Sequence, residues 1–213
     1  SIKGGKLKNV FKLLFFARWI TYQAMSTERL TSWVEISEAA YAHNLLFFKK
    51  RIPPHTEFSV VVKANAYGHG IGEISRLAIK HGVDSFCVHV LDEALYLRSL
   101  GLAQDILIMG PVPLPRLREV VINGFRLVLY NSETLAYLNS LTQEMSKPVR
   151  VHLKLEVGTH RQGVDSGDLE DFLKDLRNSS LVKLEGAYSH FSNIEDTTDH
   201  SYAFYQLDRF NSM

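Results

Sequence analysis

From about residue 32 the hydrophobic positions fall into two alternating rhythms. Short, nearly unbroken apolar runs predict strands at SWVEI (32 to 36), EFSVVVK (57 to 63), SFCVHV (85 to 90), DILIM (105 to 109), RLVLY (126 to 130), VRVHLKLE (149 to 156) and VKLEGAYS (182 to 189). Three consecutive valines, Val60 to Val62, read as a strand buried on both faces, since continuous β-branched runs suit parallel sheets. Between the runs, apolar residues recur at helical spacing over 37 to 51, 71 to 81, 91 to 100, 114 to 123, 132 to 145, 168 to 178 and 199 to 213. Gly72, Gly82, Gly101, Gly124 and the Lys147-Pro148 step punctuate these segments as breakers should.

Such alternation predicts α/β architecture: a parallel sheet with helices on its faces, either doubly wound or closed into a barrel. A doubly wound dinucleotide fold would carry G-x-G-x-x-G after its first strand. The segment AYGHGIG lacks that order and the acidic residue expected after the next strand. A TIM-type (β/α)8 barrel fits better, with chemistry at the C-terminal ends of the strands, where Lys63, Arg161 and His190 fall. Counting from the strand that ends at Lys63, however, the chain supplies about six β/α units. The expectation is an incomplete barrel over 37 to 213 with two unpaired edges and an exposed apolar interior, and a chain that is a fragment of a longer protein.

Composition narrows the picture further. The 213 residues carry a net charge of +1 and are 46% hydrophobic, which gives no reason to expect nucleic acid or a membrane as partner. The single cysteine, Cys87, excludes a disulfide framework and suits a cytoplasmic protein; within SFCVHV it reads as a core residue. His69, His81, His89 and His152 lack metal-ligand spacing, so no metal site is expected. Residues 1 to 24 are basic, contain no acidic residue and include LLFFARWI, too short and too interrupted by Arg18 to span a bilayer. They read as a leader outside the fold, with Met25 as the natural start, or as an amphipathic targeting segment.

Candidate chemistry centres on Lys63. A lysine at the end of a buried strand is either a side chain reaching out to solvent or an amine whose pKa is lowered by desolvation, free to form an imine with a carbonyl. Its neighbours favour the second. VVKANAYGHG (61 to 70) resembles the cofactor-lysine motif of alanine racemases and related broad-specificity amino acid racemases. KLEVGTHRQGV (154 to 164) is similar to that family's K-x-D-T-G-M-x-R-x-G stretch, and GAYSHFSNIEDT (186 to 197) to its T-H-F-A segment. The opening SWVEIS also resembles the family's N-terminal strand, so the likeness covers about 32 to 213.

The resemblance implies a barrel binding pyridoxal 5'-phosphate and racemisation of L-alanine to D-alanine for peptidoglycan, in a homodimer. It implies that Lys63 forms the Schiff base and moves the Cα proton. Tyr67 would reach the cofactor phosphate, Arg161 would bind near the cofactor's phenolic oxygen and the substrate carboxylate, and His190 would lie under the cofactor. Lys154 would be the lysine that carries a carbamate in many members. Residues 25 to 36 would hold a strand that pairs with the family's C-terminal β-domain, which supplies a tyrosine as the second base. Glu156-Val157-Gly158-Thr159 departs from the usual Asp-Thr-Gly-Met and bears on substrate specificity. Two other readings stay open at this point: a single-domain barrel of the pyridoxal phosphate homeostasis kind, and a non-enzyme with a basic leader.

Overall fold

The computed structural model describes residues 31 to 195 and 198 to 213. Residues 1 to 37 form one unit and Glu38–Met213 another. The leader over 1 to 24 lies outside the described residues. In the first unit, residues 32 to 37 adopt neither helix nor strand, so the strand expected at SWVEI is not formed. What local order they have includes the Trp33 indole N–H donating to Glu35 at 2.7 Å.

The second unit runs α1 (Glu38–Lys49), β1 (Ser59–Val61), a short turn (Lys63–Tyr67), α2 (Ile71–Lys80), β2 (Ser85–Val88), α3 (Leu91–Ser99) and β3 (Asp105–Ile108). A single 3-10 turn (Leu114–Arg116) then leads into α4 (Leu117–Asn123), followed by β4 (Arg126–Leu129), α5 (Ser132–Met145), β5 (Val149–Lys154), α6 (Leu169–Arg177), β6 (Val182–Tyr188) and α7 (Ser201–Ser212). Local chemistry sets several of these boundaries. Asn131 caps α5 by accepting the Thr134 N–H at 2.8 Å. Gly124 ends α4 with φ 66°, a left-handed conformation that costs glycine little.

Among the described residues six strands, all parallel, lie in sequence order, β1 to β6, each bonded only to its chain neighbours. That order is the one a β/α barrel produces, and it excludes the doubly wound alternative, whose order reverses at a switch point.

The apolar core lies between sheet and helices. Phe86, Val88, Ile106, Ile108, Leu127 and Leu129 are all essentially inaccessible, as are Ala94 and Leu97 of α3, Leu117 and Val120 of α4 and Leu138 of α5. Each fully buried Leu, Ile or Phe contributes roughly 1.5–3 kcal/mol, so this shell holds the strands in register.

The opposite face of the strands, toward the barrel axis, corrects two expectations. It is largely polar rather than apolar. Arg126 reaches Glu57 at 2.7 Å, Asp105 at 2.9 Å and Glu185 at 2.8 Å, and Arg150 forks onto Asp105 at 2.5 and 2.9 Å. Nor is the valine run buried on both faces: Val62 is inaccessible, but Val61 is 41% exposed. The reason is positional, since β1 pairs with β2 alone among the described strands and its inward side chains are covered from one side. Among the described residues, no helix is long and apolar enough to cross a membrane.

Candidate active site

The C-terminal ends of the strands gather the residues that carry chemistry. Lys63 stands two residues past β1, Lys154 is the last residue of β5, and His190 lies two residues past β6. Arg161 sits in the loop that follows β5. Across the sheet Lys154 pairs in register with Tyr188, and its Nζ lies 4.6 Å from the Tyr188 ring centroid, a cation–π contact.

The Lys63 turn is unusual in its backbone. Ala64, Asn65, Ala66 and Tyr67 all have φ between 51° and 56°, a left-handed helical turn built without glycine. For L-residues that conformation costs roughly 1–2 kcal/mol each, and such strain persists only where neighbours over-determine it. Several bonds do so. The Ala66 N–H donates to Val62 O at 2.9 Å, Asn65 Oδ1 accepts the Ile71 N–H at 2.9 Å, and His69 Nδ1 meets Ala66 O at 2.8 Å. Tyr67, 63% exposed, places its ring centroid 6.0 Å from Lys63 Nζ.

The Arg161 loop folds around a buried carboxylate. Glu156 is 8% exposed and accepts the backbone N–H of Gly158 at 2.5 Å and of Arg161 at 3.4 Å. Burial alone would raise its pKa, but donated backbone N–H groups from His160, Gly158, Arg161 and Thr159 overcome this and lower it. The loop closes where Val164 N–H donates to Lys154 O and Glu156 N–H to Val164 O. Gly163 makes this closure possible: at φ 147°, an added Cβ would lie 2.6 Å from Glu156 N.

The segment after β6 is held from below by α7. Gln206, 1% exposed, donates to His190 O at 3.2 Å and accepts the Ser192 N–H at 2.9 Å. Tyr202 donates its hydroxyl to Gly158 O at 2.7 Å, and Thr159 donates to His190 O at 2.7 Å, joining the β5 and β6 loops.

Electrostatically the site is an unbalanced cluster of cations. Burial first, then Arg161 and Lys63, holds the Lys154 amine below the usual lysine range, against the opposing pull of Glu156. Burial, then Arg161, Lys154 and Lys63, lowers His190 likewise. Lys63, Lys154 and Arg161 thus lie close enough for their charges to act on one another and to disfavour a charged His190, and a phosphate or carboxylate placed among them would relieve the repulsion. Tyr188, beside them, is pushed well above the usual phenol range, chiefly by burial. Burial likewise raises the Cys87 thiol to about 11, which disfavours its thiolate.

Sequence reasoning passed over Glu93 and Gln206, and singled out Glu156 only as a departure from the family's motif, not as the group that holds its loop. Glu93 carried a signal as an acidic residue in the first turn of α3. Gln206 carried none, because a glutamine within YQLDRF reads as solvated surface.

Comparison with known proteins shows the family and the fold. A profile of the family described as "Alanine racemase, N-terminal domain" matches residues 36 to 213. Alanine racemase 2 of Oceanobacillus iheyensis is 34% identical over 182 residues, covering 85% of this chain and 46% of that protein. The crystal structure of alanine racemase from E. faecalis superposes with a TM-score of 0.78 at 35% identity, over 83% of this chain and 48% of that one. The Bacillus anthracis alanine racemase with bound L-Ala-P gives a TM-score of 0.78 at 32% identity, over 84% and 46%. The chain spans about half the length of the curated relatives it matches.

Proposed function

Since the chain belongs to the alanine racemase family, we propose that it takes part in interconverting L- and D-alanine with pyridoxal 5'-phosphate as cofactor. The observation that carries this reading is the gathering of Lys63, Lys154 and Arg161 beside His190 at the C-terminal ends of β1, β5 and β6, whose cations fit a guest with two anionic groups, a phosphate and a carboxylate.

When bound, the cofactor would withdraw electrons from the substrate Cα and so acidify its proton. Lys63 would hold the cofactor's carbonyl end and then carry the proton on Nζ, on the face it occupies. The Arg161 guanidinium, planar and permanently charged, would orient the substrate carboxylate through paired N–H bonds. The Tyr67 hydroxyl would donate to the phosphate, and His190 would bound the site from the β6 side. Lys154, buried and with a depressed pKa, holds more of its amine neutral than an exposed lysine does, which is the form a carbamate requires.

Racemisation needs a second proton carrier on the opposite face of Cα. The reading assigns it to a tyrosine offered across a homodimer interface, and places the protein in the cytoplasm as a source of D-alanine for peptidoglycan. The test is incubation with pyridoxal phosphate, borohydride reduction, and location of the pyridoxyl group by peptide mass. Label confined to Lys63 and lost in Lys63→Arg supports the reading; label scattered over surface lysines overturns it.

A further inference from the structure

The peptide bond that leaves Lys63 is gripped by a residue from another element. Glu93, in the first turn of α3, accepts the Ala64 N–H on one carboxylate oxygen at 2.6 Å. Its other oxygen accepts the His89 N–H at 2.9 Å and the Val90 N–H at 3.1 Å. The last two bonds are what an acidic residue at this helical position does for the start of its own helix. The bond to Ala64, 29 residues earlier, is not part of any cap.

Its location gives it a particular effect. The Ala64 N–H belongs to the peptide plane attached to the Lys63 carbonyl carbon, so holding it fixes ψ of Lys63 and φ of Ala64 together. On the entering side, Val62 N–H donates to Cys87 O at 2.9 Å. Lys63 is therefore bracketed by two anchors, one a ladder bond to Cys87 of β2 and the other the carboxylate of Glu93 on α3. Beyond it the chain turns at once into the left-handed conformation, which an unrestrained Ala-Asn-Ala-Tyr segment would leave.

We propose that Glu93 is a positioning residue for Lys63: its carboxylate clamps the Ala64 amide, holds the left-handed turn and so aims the lysine amine from the end of β1 into the site. The proposal rests on the reading of Lys63 as the cofactor-binding amine. A bond donated to a charged acceptor is the kind suited to this task, being stronger than a neutral one, and the carboxylate's second oxygen ties the clamp to the exit of β2.

Two variants separate clamping of the Lys63 turn from a general loss of stability through a lost helix cap. Glu93→Asp keeps a carboxylate at the same helical position but withdraws it by about 1.5 Å, out of reach of Ala64. Asn131→Ala removes the side-chain cap of α5 and serves as a control for simple loss of stability. Amide hydrogen exchange, read on the chain without cofactor, is expected to quicken about tenfold or more at Ala64 to Ala66 in Glu93→Asp, and not in Asn131→Ala. The rate of borohydride-trapped labelling at Lys63 is expected to fall several-fold in Glu93→Asp and to stay at the parent value in Asn131→Ala. Unchanged exchange at Ala64 in Glu93→Asp overturns the clamp. Parent-like labelling of Glu93→Asp, or equal slowing in Asn131→Ala, overturns the positioning role. A parent chain that takes no label at Lys63 sinks the functional reading and this inference together, whereas a labelled parent with an equally labelled Glu93→Asp sinks the inference alone.

Discussion

Gln206, buried in α7, donates its side-chain amide to the backbone oxygen of His190 at 3.2 Å while accepting the Ser192 N–H at 2.9 Å. A helix that follows β6 thereby fixes the segment that presents His190, with no contact to the imidazole itself among these bonds. Gln206→Leu fits the same volume but strands one donor and weakens one acceptor, at a cost of about 1–3 kcal/mol. For a chain of this size that is a fall in melting temperature of roughly 2–4 °C per kcal/mol. Calorimetry that finds Gln206→Leu as stable as the parent would show that water replaces the amide.

The left-handed turn makes an opposite prediction. Ala64 is exposed at φ 52°, so Ala64→Gly relieves about 1–2 kcal/mol of backbone strain and loses about 0.5–1 kcal/mol to the greater freedom of the unfolded chain. The expected balance is a stabilisation of up to about 1 kcal/mol. Ala64→Val, β-branched at a positive φ, is expected to destabilise by more than that. Denaturant midpoints for the pair settle it: both variants moving in the same direction would contradict the strain.

This turn also marks the limit of what could be read from residue order. The strands that lead to Lys63 and Lys154, if not their last residues, and the helix stops at Gly82 and Gly124 are legible because apolar runs and glycines are local signals. Ala-Asn-Ala-Tyr gives no local sign of positive φ; the strain is imposed by Glu93 and Val62, which lie elsewhere in the chain or one turn back. Arg126, Arg150 and Glu185 were equally opaque. Alternation with buried neighbours marks them as facing away from the helices, but only closure of the strands around an axis turns that face into an interior where they meet. Val61 is exposed for the same reason, since burial on its side depends on what lies across the barrel. The members of the candidate site were legible from their motifs, whereas the loops' hidden supports at Glu156 and Gln206 depend on three-dimensional packing.

The interior ion network predicts a pH signature. Arg126, with its side chain 14% exposed, stands between Glu57, Asp105 and Glu185. Arg126→Leu leaves three carboxylates facing one another with Arg150 as the nearby cation, and is expected to cost about 3 kcal/mol or more near neutral pH. In the parent, hydrogen bonds from Arg150 hold Asp105 below its ordinary range, and those from Ser85 and Arg126 do so for Glu57. Their contribution is therefore present above about pH 4 and is lost as pH falls through the lowered values. The deficit of the variant should shrink on acidification. A deficit that is constant from pH 7 to pH 4 would mean that packing, not charge, supplies the loss.

At the candidate site the charge opposes folding instead of supporting it, although stability again rises with pH. Lys154 has its pKa lowered by burial, with Arg161 next, so its charged form is a burden on the fold below the lowered value, one that lifts as pH rises toward the ordinary value of 10.5. Lys154→Met is then expected to raise the melting temperature at pH 7 in the absence of ligand. Inorganic phosphate should stabilise the parent by mass action and stabilise Lys154→Met less. Equal phosphate increments in both chains would place the anion away from Lys154.

Glu156 offers the sharpest pH test, because a single buried carboxylate organises the whole Arg161 loop. Its folded-state pKa is below the ordinary 4.5 despite burial, since backbone N–H groups of residues 158 to 161 converge on it. The stability it contributes is complete above the unfolded value and disappears as pH falls through the folded one. Protonation replaces an acceptor with a donor and releases the loop, so amide exchange at Gly158 to Arg161 should accelerate below about pH 4, ahead of the strand core. Glu156→Gln keeps the shape but puts an amide donor against these N–H groups. It should show fast exchange there at every pH, with a loss of about 1–3 kcal/mol at pH 7 that diminishes in acid as the parent loses the same contribution. Because Arg161 hangs from this loop, the variant should also weaken binding of a carboxylate or phosphate ligand while leaving the exchange of β5 amides unchanged. Loop amides that stay protected in Glu156→Gln would show that Tyr202 and the Gly163 closure suffice without the carboxylate.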